Sequence, residues 1–369
     1  MKVLVTGAKG FIGKNLVAEL KSQNHYEILE YNRDNDISTL DKYCSEADFV
    51  FHLAGVNRPK DKSEFMDGNY GFTSTLLKKL KVYKNNCPVL ISSSIQAQLD
   101  NPYGISKRAG EDLLFEYSKQ TGAKALVYRL PNVFGKWCKP NYNSAVATFC
   151  HNIANNIPVT VNDADTKMSL VYIDDVVEEF INALKSNENK RGDFCEVPIV
   201  HNSRLGDIVD LIYSFKKSRE ELLVPDTSNT FTNKLYSTYL SYLPEDKFNY
   251  NLKMNEDDRG SFTEFIKTPD RGQVSVNISK PGVTKGNHWH HTKNEKFLVV
   301  SGHGVIRFRR YNSEKVIEYF VSGNKLEVID IPTGYTHNIE NLGNTEMVTL
   351  MWANELFNPE KPDTHYLEV

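Results

Sequence analysis

The chain has 369 residues, of which 40% are hydrophobic and 25% are charged. This composition is typical of a globular protein, and the length predicts two domains or three. A net charge of -3 lacks the excess positive charge that a phosphate backbone attracts, which argues against nucleic acid as a partner. No apolar run is long enough to span a membrane, and no secretion leader is visible at the N-terminus. Because the five cysteines are scattered and odd in number, we expect a cytoplasmic protein without disulfides.

The first half of the chain alternates strand-like and helix-like segments. Ile12, Leu16 and Leu20 recur at helical spacing directly after the first apolar run. The predicted strands are Lys2–Thr6, Tyr26–Tyr31, Asp48–Ala54, Pro88–Ser92 and Ala123–Tyr128, with a helix over residues 104–119 between the last two. This alternation predicts an α/β, doubly wound, Rossmann-type parallel sheet with helices on both faces.

The second half of the chain has a different pattern. Residues 225–250 are polar and rich in tyrosine, which predicts a connecting region with a short helix. Short β-type runs follow, at Gln273–Ile278, Lys296–Val300, Gly304–Phe308, Val316–Val321, Leu326–Ile331 and Glu346–Trp352. Many short strands separated by turns indicate a sandwich or a small barrel. The predicted domains therefore span residues 1–243 and 244–369.

A glycine-rich turn links the first strand to the first helix. Gly7 permits a tight turn, Gly10 lets the backbone approach a pyrophosphate, and Gly13 allows the helix to pack closely on the strand. The N-terminus of that helix then offers N–H groups and a positive dipole end to phosphates. This placement predicts a dinucleotide site.

The end of the second strand indicates which dinucleotide binds. An NAD site usually carries Asp or Glu there, for the ribose hydroxyls. Here the strand ends in Asn32 and Arg33, and a guanidinium pairs with the 2′-phosphate of NADP. We therefore expect NADPH as the cofactor. The alternative is that Arg33 is a solvated surface charge and that Asp34 or Asp36 selects the cofactor.

A tyrosine and a lysine four residues apart provide the chemistry of reduction. Tyr103 and Lys107 open a helix and lie on one face of it. A nearby ammonium is expected to lower the pKa of the phenol, so that Tyr103 exchanges a proton with a substrate oxygen. Ser92–Ser94 closes an apolar strand upstream, and one of its hydroxyls is expected to hold the same oxygen.

These motifs together resemble the extended short-chain dehydrogenase/reductase family, over about residues 1–240. The matching segments are Gly7–Gly13, His52–Gly55, Asn69, Ser92–Ser94, Tyr103–Lys107, Arg129–Gly135 and Tyr172–Val176. The resemblance implies that Ser94, with Ser93 as the alternative, acts with Tyr103 and Lys107, and that the substrate is a nucleotide-linked sugar. It also implies that Lys107 binds the nicotinamide ribose and that Asn132 lies near the substrate. The implied cofactor contacts are Gly7, Gly10, Phe11, Ile12, Gly13, Asn32, Arg33, Leu53, Ala54, Asn69, Tyr103 and Lys107. The sequence departs from the family at Ser94–Gln98, in the loop that faces the substrate.

Histidines in the C-terminal half have the spacing of metal ligands. His288 and His290 are two residues apart, so on a strand both point to one face, while His291 points away. Glu295 begins the next strand, and His337 adds a third imidazole after a later turn. Three imidazoles and a carboxylate suit Zn, Fe, Mn or Ni, and we expect zinc. The alternative is a polar barrel lined by neutral histidines.

The histidine pattern resembles both motifs of the cupin superfamily, which implies a small all-β cupin barrel over about residues 250–369. Asp258–Glu264 and Lys285–His288 also resemble the branch of cupins that epimerises sugar nucleotides. In that branch the histidine matching His288 often acts as general base without a metal. One imidazole cannot serve as base and as ligand at once, so the sequence leaves the role of His288 open.

A reductase fused to a cupin resembles a family of bacterial enzymes that make capsular polysaccharide. That resemblance implies two steps on a UDP-linked 4-keto-6-deoxy amino sugar: epimerisation at C3 by the barrel, then reduction of the C4 ketone with NADPH. It implies UDP-2-acetamido-2,6-dideoxy-L-talose as product, a precursor of UDP-N-acetyl-L-fucosamine. Exposed barrel edges predict a homodimer through the cupin domain. The alternatives are a reductase whose barrel only dimerises it, a redox-neutral dehydratase or 4-epimerase, and a non-catalytic sugar- or NADP-binding module.

Overall fold

The structure is a computed structural model that describes all 369 residues. The chain forms two compact units, one made of Met1–Tyr213 with Thr227–Pro244 and the other of Ser214–Asp226 with Glu245–Val369. None of the helices combines the length and apolar character needed to cross a membrane. The predicted combination of an α/β sheet with an all-β second part is confirmed.

The regular elements are numbered here in chain order. The strands of the first part are β1 Lys2–Thr6, β2 Glu27–Tyr31, β3 Phe49–His52, β4 Val89–Ser94, β5 Ala125–Leu130, β6 Asn132–Phe134, β7 Lys167–Tyr172, β8 Lys190–Arg191, β9 Phe194–Cys195 and β10 His201–Arg204. The helices are α1 Phe11–Ser22, α2 Ile37–Glu46, α3 Ser63–Phe65, α4 Phe72–Val82, α5 Pro102–Thr121, α6 Ala145–Ala154, α7 Ile173–Leu184, α8 Leu205–Glu220 and α9 Thr230–Leu240. The later strands are β11 Met254–Asp257, β12 Gly260–Thr268, β13 Gly272–Ser279, β14 Thr284–Trp289, β15 Glu295–Ser301, β16 His303–Arg310, β17 Val316–Ser322, β18 Val328–Ile331, β19 Tyr335–Asn341, β20 Met347–Ala353 and β21 His365–Tyr366.

A seven-stranded sheet in the order β2-β1-β3-β4-β5-β9-β8 forms the centre of the first unit. All its pairs are parallel except β8 with β9. The chain leaves β1 for β2 on one side and returns to β3 on the other, so the carboxyl ends of β1 and β3 flank the crevice where such sheets bind ligands. β6, β7 and β10 form a separate three-stranded sheet.

Alternate residues of β1 explain why helices cover both faces of this sheet. Val3 and Val5 belong to one core cluster with Leu16 of α1 and Phe180 of α7. The residue between them, Leu4, belongs to the opposite cluster with residues of α4 and α5. Each face thus buries its own apolar layer.

The second unit is a β-structure of two antiparallel sheets, one six-stranded (β11-β12-β13-β20-β15-β18) and one five-stranded (β17-β16-β19-β14-β21). Its interior is unusually polar on one side: Gln273, Ser275, Asn277 and Ser279 of β13 are all buried. An apolar cluster that includes Phe297 forms the rest of the interior of this unit. Hydrogen bonds satisfy part of this row: Gln273 accepts from the Phe357 amide, and Asn277 accepts from Lys285 and donates to Ser279.

Several boundaries differ from the sequence prediction. The helix predicted over residues 104–119 is longer, because Pro102 suits the first helical turn and the Asn101 side chain accepts a hydrogen bond from the Gly104 amide. The connecting region contains the eleven-residue α9, capped by Asn229. The strand predicted from Leu326 begins at Val328, since Lys325 still belongs to the turn bridged to Ser322.

Candidate active site and metal centre

The glycine turn after β1 is packed too tightly for side chains. Gly7 has a φ of +70°, and a Cβ there would lie 2.8 Å from the backbone of Ala54. A Cβ on Gly13 would lie 2.2 Å from the carbonyl oxygen of Gly7. Helix α1 begins at Phe11 without a side-chain cap, so the amides of its first turn, including Ile12, are available to phosphate oxygens.

In the segment after β2, the carboxylates of Asp34 and Asp36 each have a partner within the protein. Asn32 Oδ1 accepts a hydrogen bond from the Lys9 amide at 2.7 Å, and Arg33 is exposed. Asp34 pairs with Lys9 Nζ at 2.5 Å, while Asp36 caps α2. Both acids that could have selected the cofactor are therefore engaged locally, and Arg33 keeps its charge accessible beside the turn.

The carboxyl end of β3 lies against the end of β1. The Leu53 amide donates to the carbonyl oxygen of Thr6 at 3.2 Å, and the Ala54 amide donates to the Thr6 hydroxyl at 3.3 Å. His52 is buried between the hydroxyls of Thr6 and Thr73, each at 2.8 Å. Burial lowers the pKa of His52 to about 3, so this ring is neutral and structural.

The structure brings Ser94, Tyr103 and Lys107 together where β4 ends and α5 begins. Lys107 Nζ lies 5.9 Å from the centre of the Tyr103 ring and donates to the carbonyl oxygen of Ser92 at 3.0 Å. The side chain of Ser94 is hydrogen-bonded to the Tyr103 phenol. The phenol, the hydroxyl and the ammonium can therefore act on one substrate oxygen.

The expected pKa shift of the phenol is wrong in direction. Burial raises the pKa of Tyr103, and the hydrogen bond with Ser94 opposes this only in part. Burial also lowers the pKa of Lys107 to about 8, against the effect of the Glu111 carboxylate. The prediction took only the Lys107 ammonium into account, but burial of the phenol has the larger effect on its pKa. Tyr103 is consequently a neutral phenol, which is the form that donates a proton.

The second serine of the run has a different partner. Ser93 is buried and donates to Glu111, a carboxylate that also accepts from Arg129 Nε at 3.0 Å. The Arg129 guanidinium in turn lies 3.9 Å from the centre of the Phe194 ring. Ser93 is thus part of a buried network, which leaves Ser94 as the hydroxyl beside the phenol. Glu111 was not predicted as a site residue, although it follows Lys107 by four residues on the same helix face.

The two predicted asparagines have different surroundings. Asn69 lies in a π-helical turn, Met66–Gly71, where its amide bonds both the N–H and the C=O of Val56 at 2.9 Å. Asn69 thereby fixes the backbone after β3. Gly55 of this segment lies so close to Lys107 that a Cβ there would be 3.1 Å from Lys107 Nζ. Asn132 is exposed at the start of β6, with its Nδ2 3.4 Å from the carbonyl oxygen of Ser169.

The second unit brings four of its side chains into one cluster. One potential ligand atom from each of His288, His290, Glu295 and His337 lies within 4.8 Å of the others. His288 is paired with His337 across β14 and β19, and Glu295 is the first residue of β15. His291 lies outside the cluster, with its ring 4.5 Å from that of Trp289.

The electrostatics of this cluster fit a cation. Both ring nitrogens of His337 are buried without a hydrogen-bond partner, which is costly unless a ligand satisfies them. Burial lowers the pKa of His288 to about 4, and the neighbouring His337 and His290 lower it further. Burial alone would raise the pKa of Glu295, but the neighbouring imidazoles of His290 and His337, whose Nε2 atoms lie 3.3 and 3.5 Å from Glu295 Oε2, hold it below its usual range. Neutral imidazoles and an ionised carboxylate are the forms that ligate a divalent metal.

A cavity of about 360 Å³ opens onto these side chains. Its lining includes Lys285 and the ion pair of Arg259 with Asp257, whose charged atoms lie 2.6 Å apart. Lys285 Nζ donates to Asn277 Oδ1 at 2.9 Å and to the carbonyl oxygen of Ile278 at 2.8 Å. These acceptors are neutral, so the Lys285 ammonium has no carboxylate partner and suits an anionic group of a ligand.

Comparisons with known proteins agree with this architecture. Residues 3–195 match the NAD dependent epimerase/dehydratase family, and residues 255–365 match the polysaccharide biosynthesis C-terminal domain. The chain is 43% identical over 369 residues to the UDP-2-acetamido-2,6-beta-L-arabino-hexul-4-ose reductase of Pseudomonas aeruginosa, covering 100% of this chain and 99% of that protein. It is 29% identical over 122 residues to the spore coat polysaccharide biosynthesis protein SpsL of Bacillus subtilis, covering 30% of this chain and 81% of that protein.

A solved structure matches both units at once. The capsular polysaccharide assembling protein CapF of Staphylococcus aureus is 57% identical, with 100% of both chains covered and a TM-score of 0.96. The predicted resemblance to capsule enzymes is thereby confirmed. The chain belongs to the NAD dependent epimerase/dehydratase family, among the two-part proteins that include CapF.

Proposed function

We propose that the chain is a cytoplasmic, NADPH-dependent reductase of a UDP-linked amino sugar in capsular polysaccharide synthesis. It reduces the C4 ketone of a UDP-2-acetamido-2,6-dideoxy-4-hexulose to UDP-2-acetamido-2,6-dideoxy-L-talose, the precursor of UDP-N-acetyl-L-fucosamine. The observation that carries this proposal is that Ser94, Tyr103 and Lys107 lie together, with Lys107 against Gly55 in the loop whose Ala54 packs on Gly7. The name of the Pseudomonas aeruginosa relative supports a reductase of such a hexulose.

Each residue of the first unit has a defined task in this proposal. The Gly7–Gly13 turn and α1 hold the pyrophosphate, and Arg33 pairs with the 2′-phosphate. When bound, NADPH supplies the hydride. Tyr103, kept neutral by burial, donates its proton to the C4 oxygen, Ser94 holds that oxygen, and the Lys107 ammonium stabilises the phenolate that remains. Asn132 contacts the sugar nucleotide.

We propose further that the second unit epimerises C3 of the same substrate before reduction. The C3 proton is acidic because it lies next to the C4 ketone, and reducing that ketone first would remove the acidity. His288, His290, Glu295 and His337 would hold a divalent metal, most simply zinc, which when bound stabilises negative charge. As a ligand, His288 would not serve as the base. The Lys285 ammonium lines the same cavity as His288 and would supply a further positive charge to an enolate.

One incubation tests both activities. The protein is mixed with NADPH and the UDP-4-keto sugar in D2O, and the products are analysed by NMR. We expect NADPH consumption and deuterium at C3. Tyr103→Phe should lower the rate of NADPH consumption by about 10²–10⁴-fold, the usual contribution of a general acid, while deuterium still enters C3. An undiminished rate in Tyr103→Phe would show that this site is not a reductase of the proposed kind.

A further inference from the structure

The last residues of the chain lie across the segments that carry the proposed metal ligands. We call residues Asp363–Glu368 the C-terminal strap. Its strand β21 pairs with β14, placing Tyr366 opposite His288. The Leu367 amide donates to the carbonyl oxygen of Asn287 at 3.0 Å, and the Leu367 carbonyl accepts from the hydroxyl of Thr336, the neighbour of His337. The strap therefore holds both strands from which His288 and His337 project.

The strap also fixes the ring of a third ligand. The carbonyl oxygen of Asp363 lies 2.5 Å from His290 Nδ1. Since a carbonyl oxygen only accepts hydrogen bonds, Nδ1 carries the proton and Nε2 keeps its lone pair. His290 Nε2 is the atom that faces the cluster, 3.3 Å from Glu295 Oε2. The contact thus selects the tautomer that a metal requires.

The side chain of the same residue organises the loop between two ligands. One carboxylate oxygen of Asp363 accepts from the His291 amide at 2.9 Å. The other accepts from the amides of Thr292 at 2.7 Å and Lys293 at 2.8 Å. Three successive backbone N–H groups therefore converge on a carboxylate that is only 15% exposed. Removing it would leave those amides without partners, and the loop from His290 to Glu295 would lose its conformation.

We infer that the C-terminal strap is a positioning element of the metal centre, and that Asp363 is its positioning residue. The inference rests on the proposed metal site. Partners of a metal-binding histidine that fix its orientation are commonly worth about 10–100-fold in metal affinity. Asp363 acts from outside the ligand set: its backbone carbonyl holds His290, and its carboxylate, which Asp363→Ala removes, holds the loop that joins His290 to Glu295.

Zinc binding by the full chain tests the inference. Metal-free protein is titrated with Zn²⁺ against a chromophoric chelator, for the wild type, Asp363→Ala and a control, Glu360→Gln, which removes an exposed acid from the same terminal region. We expect Asp363→Ala to bind Zn²⁺ about 10–100-fold more weakly than the wild type, and Glu360→Gln to match the wild type. Equal affinities for Asp363→Ala and the wild type would overturn the inference. A wild type that binds no Zn²⁺ would instead overturn the metal site itself.

A second variant covers the case in which Asp363→Ala does not fold. Asp363→Asn keeps an acceptor oxygen but loses the charge, and should reduce affinity less than the alanine variant. Amide hydrogen exchange of the metal-free proteins gives a readout independent of the metal. We expect faster exchange at residues 291–293 in Asp363→Asn than in the wild type. Unchanged exchange together with unchanged Zn²⁺ affinity would refute the positioning role.

Discussion

Lys107 has to keep its charge although its surroundings remove it from water. Burial lowers its pKa to about 8, and the carboxylate of Glu111, one helical turn further along α5, counteracts that effect. The other titratable groups nearby are His52, which is neutral because burial lowers its pKa to about 3, and Tyr103, whose pKa is raised. Glu111, although it is also paired with Arg129, is therefore the carboxylate that opposes the loss of charge from Lys107.

This arrangement predicts the pH dependence of the reductase. The ammonium of Lys107 is present below its pKa and is lost as the pH rises, so kcat/KM for NADPH, which reports the free enzyme, should fall above about pH 8. Glu111→Gln removes the charge that raises the pKa of Lys107, and the falling limb should move to lower pH. A purely structural role of Glu111 would lower the whole profile without moving the limb. A profile measured from pH 6 to 10 distinguishes the two, and an unmoved limb would contradict the electrostatic role.

At the scale of elements, a bulge in β14 positions the metal cluster. The pairing of β14 with β19 shifts register between Gly286 and His288, and Asn287 has a φ of 58°. Gly286 itself has a φ of +108°, and a Cβ there would lie 2.8 Å from the carbonyl oxygen of His337. The backbone thus approaches a ligand-bearing strand so closely that only glycine fits.

Gly286→Ala should consequently damage stability and metal binding together. A strained backbone and a backbone clash each cost roughly 1–3 kcal/mol, so we expect about 3 kcal/mol less stability of the second unit. Gly282→Ala is the matched control, because Gly282 has a φ of +72° but nothing within 4 Å of the added Cβ. Gly282→Ala should lower the free energy of unfolding by only about 1 kcal/mol. Urea unfolding and Zn²⁺ titration of both variants measure the difference, and equal effects would show that the close approach is unimportant.

The same elements show what a sequence can and cannot predict. β1 and α5 were predictable because a short apolar run before a glycine turn and a periodic helix are local signals, although the Asn101 cap of α5 was missed. Strand β12 was not predicted, since its buried positions are Ser261 and Thr263, which conceal the alternation. The clustering of the histidines could be expected from spacing along two strands. The contribution of Asp363 could not be predicted from the sequence, because Asp363 lies 72 residues beyond His291 and no local pattern marks it.

At the scale of the molecule, one edge strand of the second unit is largely exposed. β17 lies at the edge of the five-stranded sheet, and its first five residues are exposed, with Phe320 at 70%. An exposed apolar edge strand is a site where copies of a chain can pair, and we propose that the homodimer expected from the sequence forms through this edge. We expect Phe320→Glu to be monomeric in sedimentation velocity at a concentration where the wild type is dimeric. Val82→Glu, at a 75% exposed position on α4, should leave the dimer intact, and a dimeric Phe320→Glu would place the interface elsewhere.

The two chemistries on this chain require different groups, so each should be removable without the other. Stripping the metal takes away the charge that the His288 cluster is proposed to hold, and C3 exchange with D2O should fall to background. The reductase residues do not depend on that cluster, so NADPH oxidation should continue when the stripped protein receives a sugar already epimerised at C3. With the unepimerised sugar, both signals should disappear, because the reductase then lacks its substrate. Continued C3 exchange in fully stripped protein would mean that the metal is structural and that other groups, among them Lys285, carry the epimerisation.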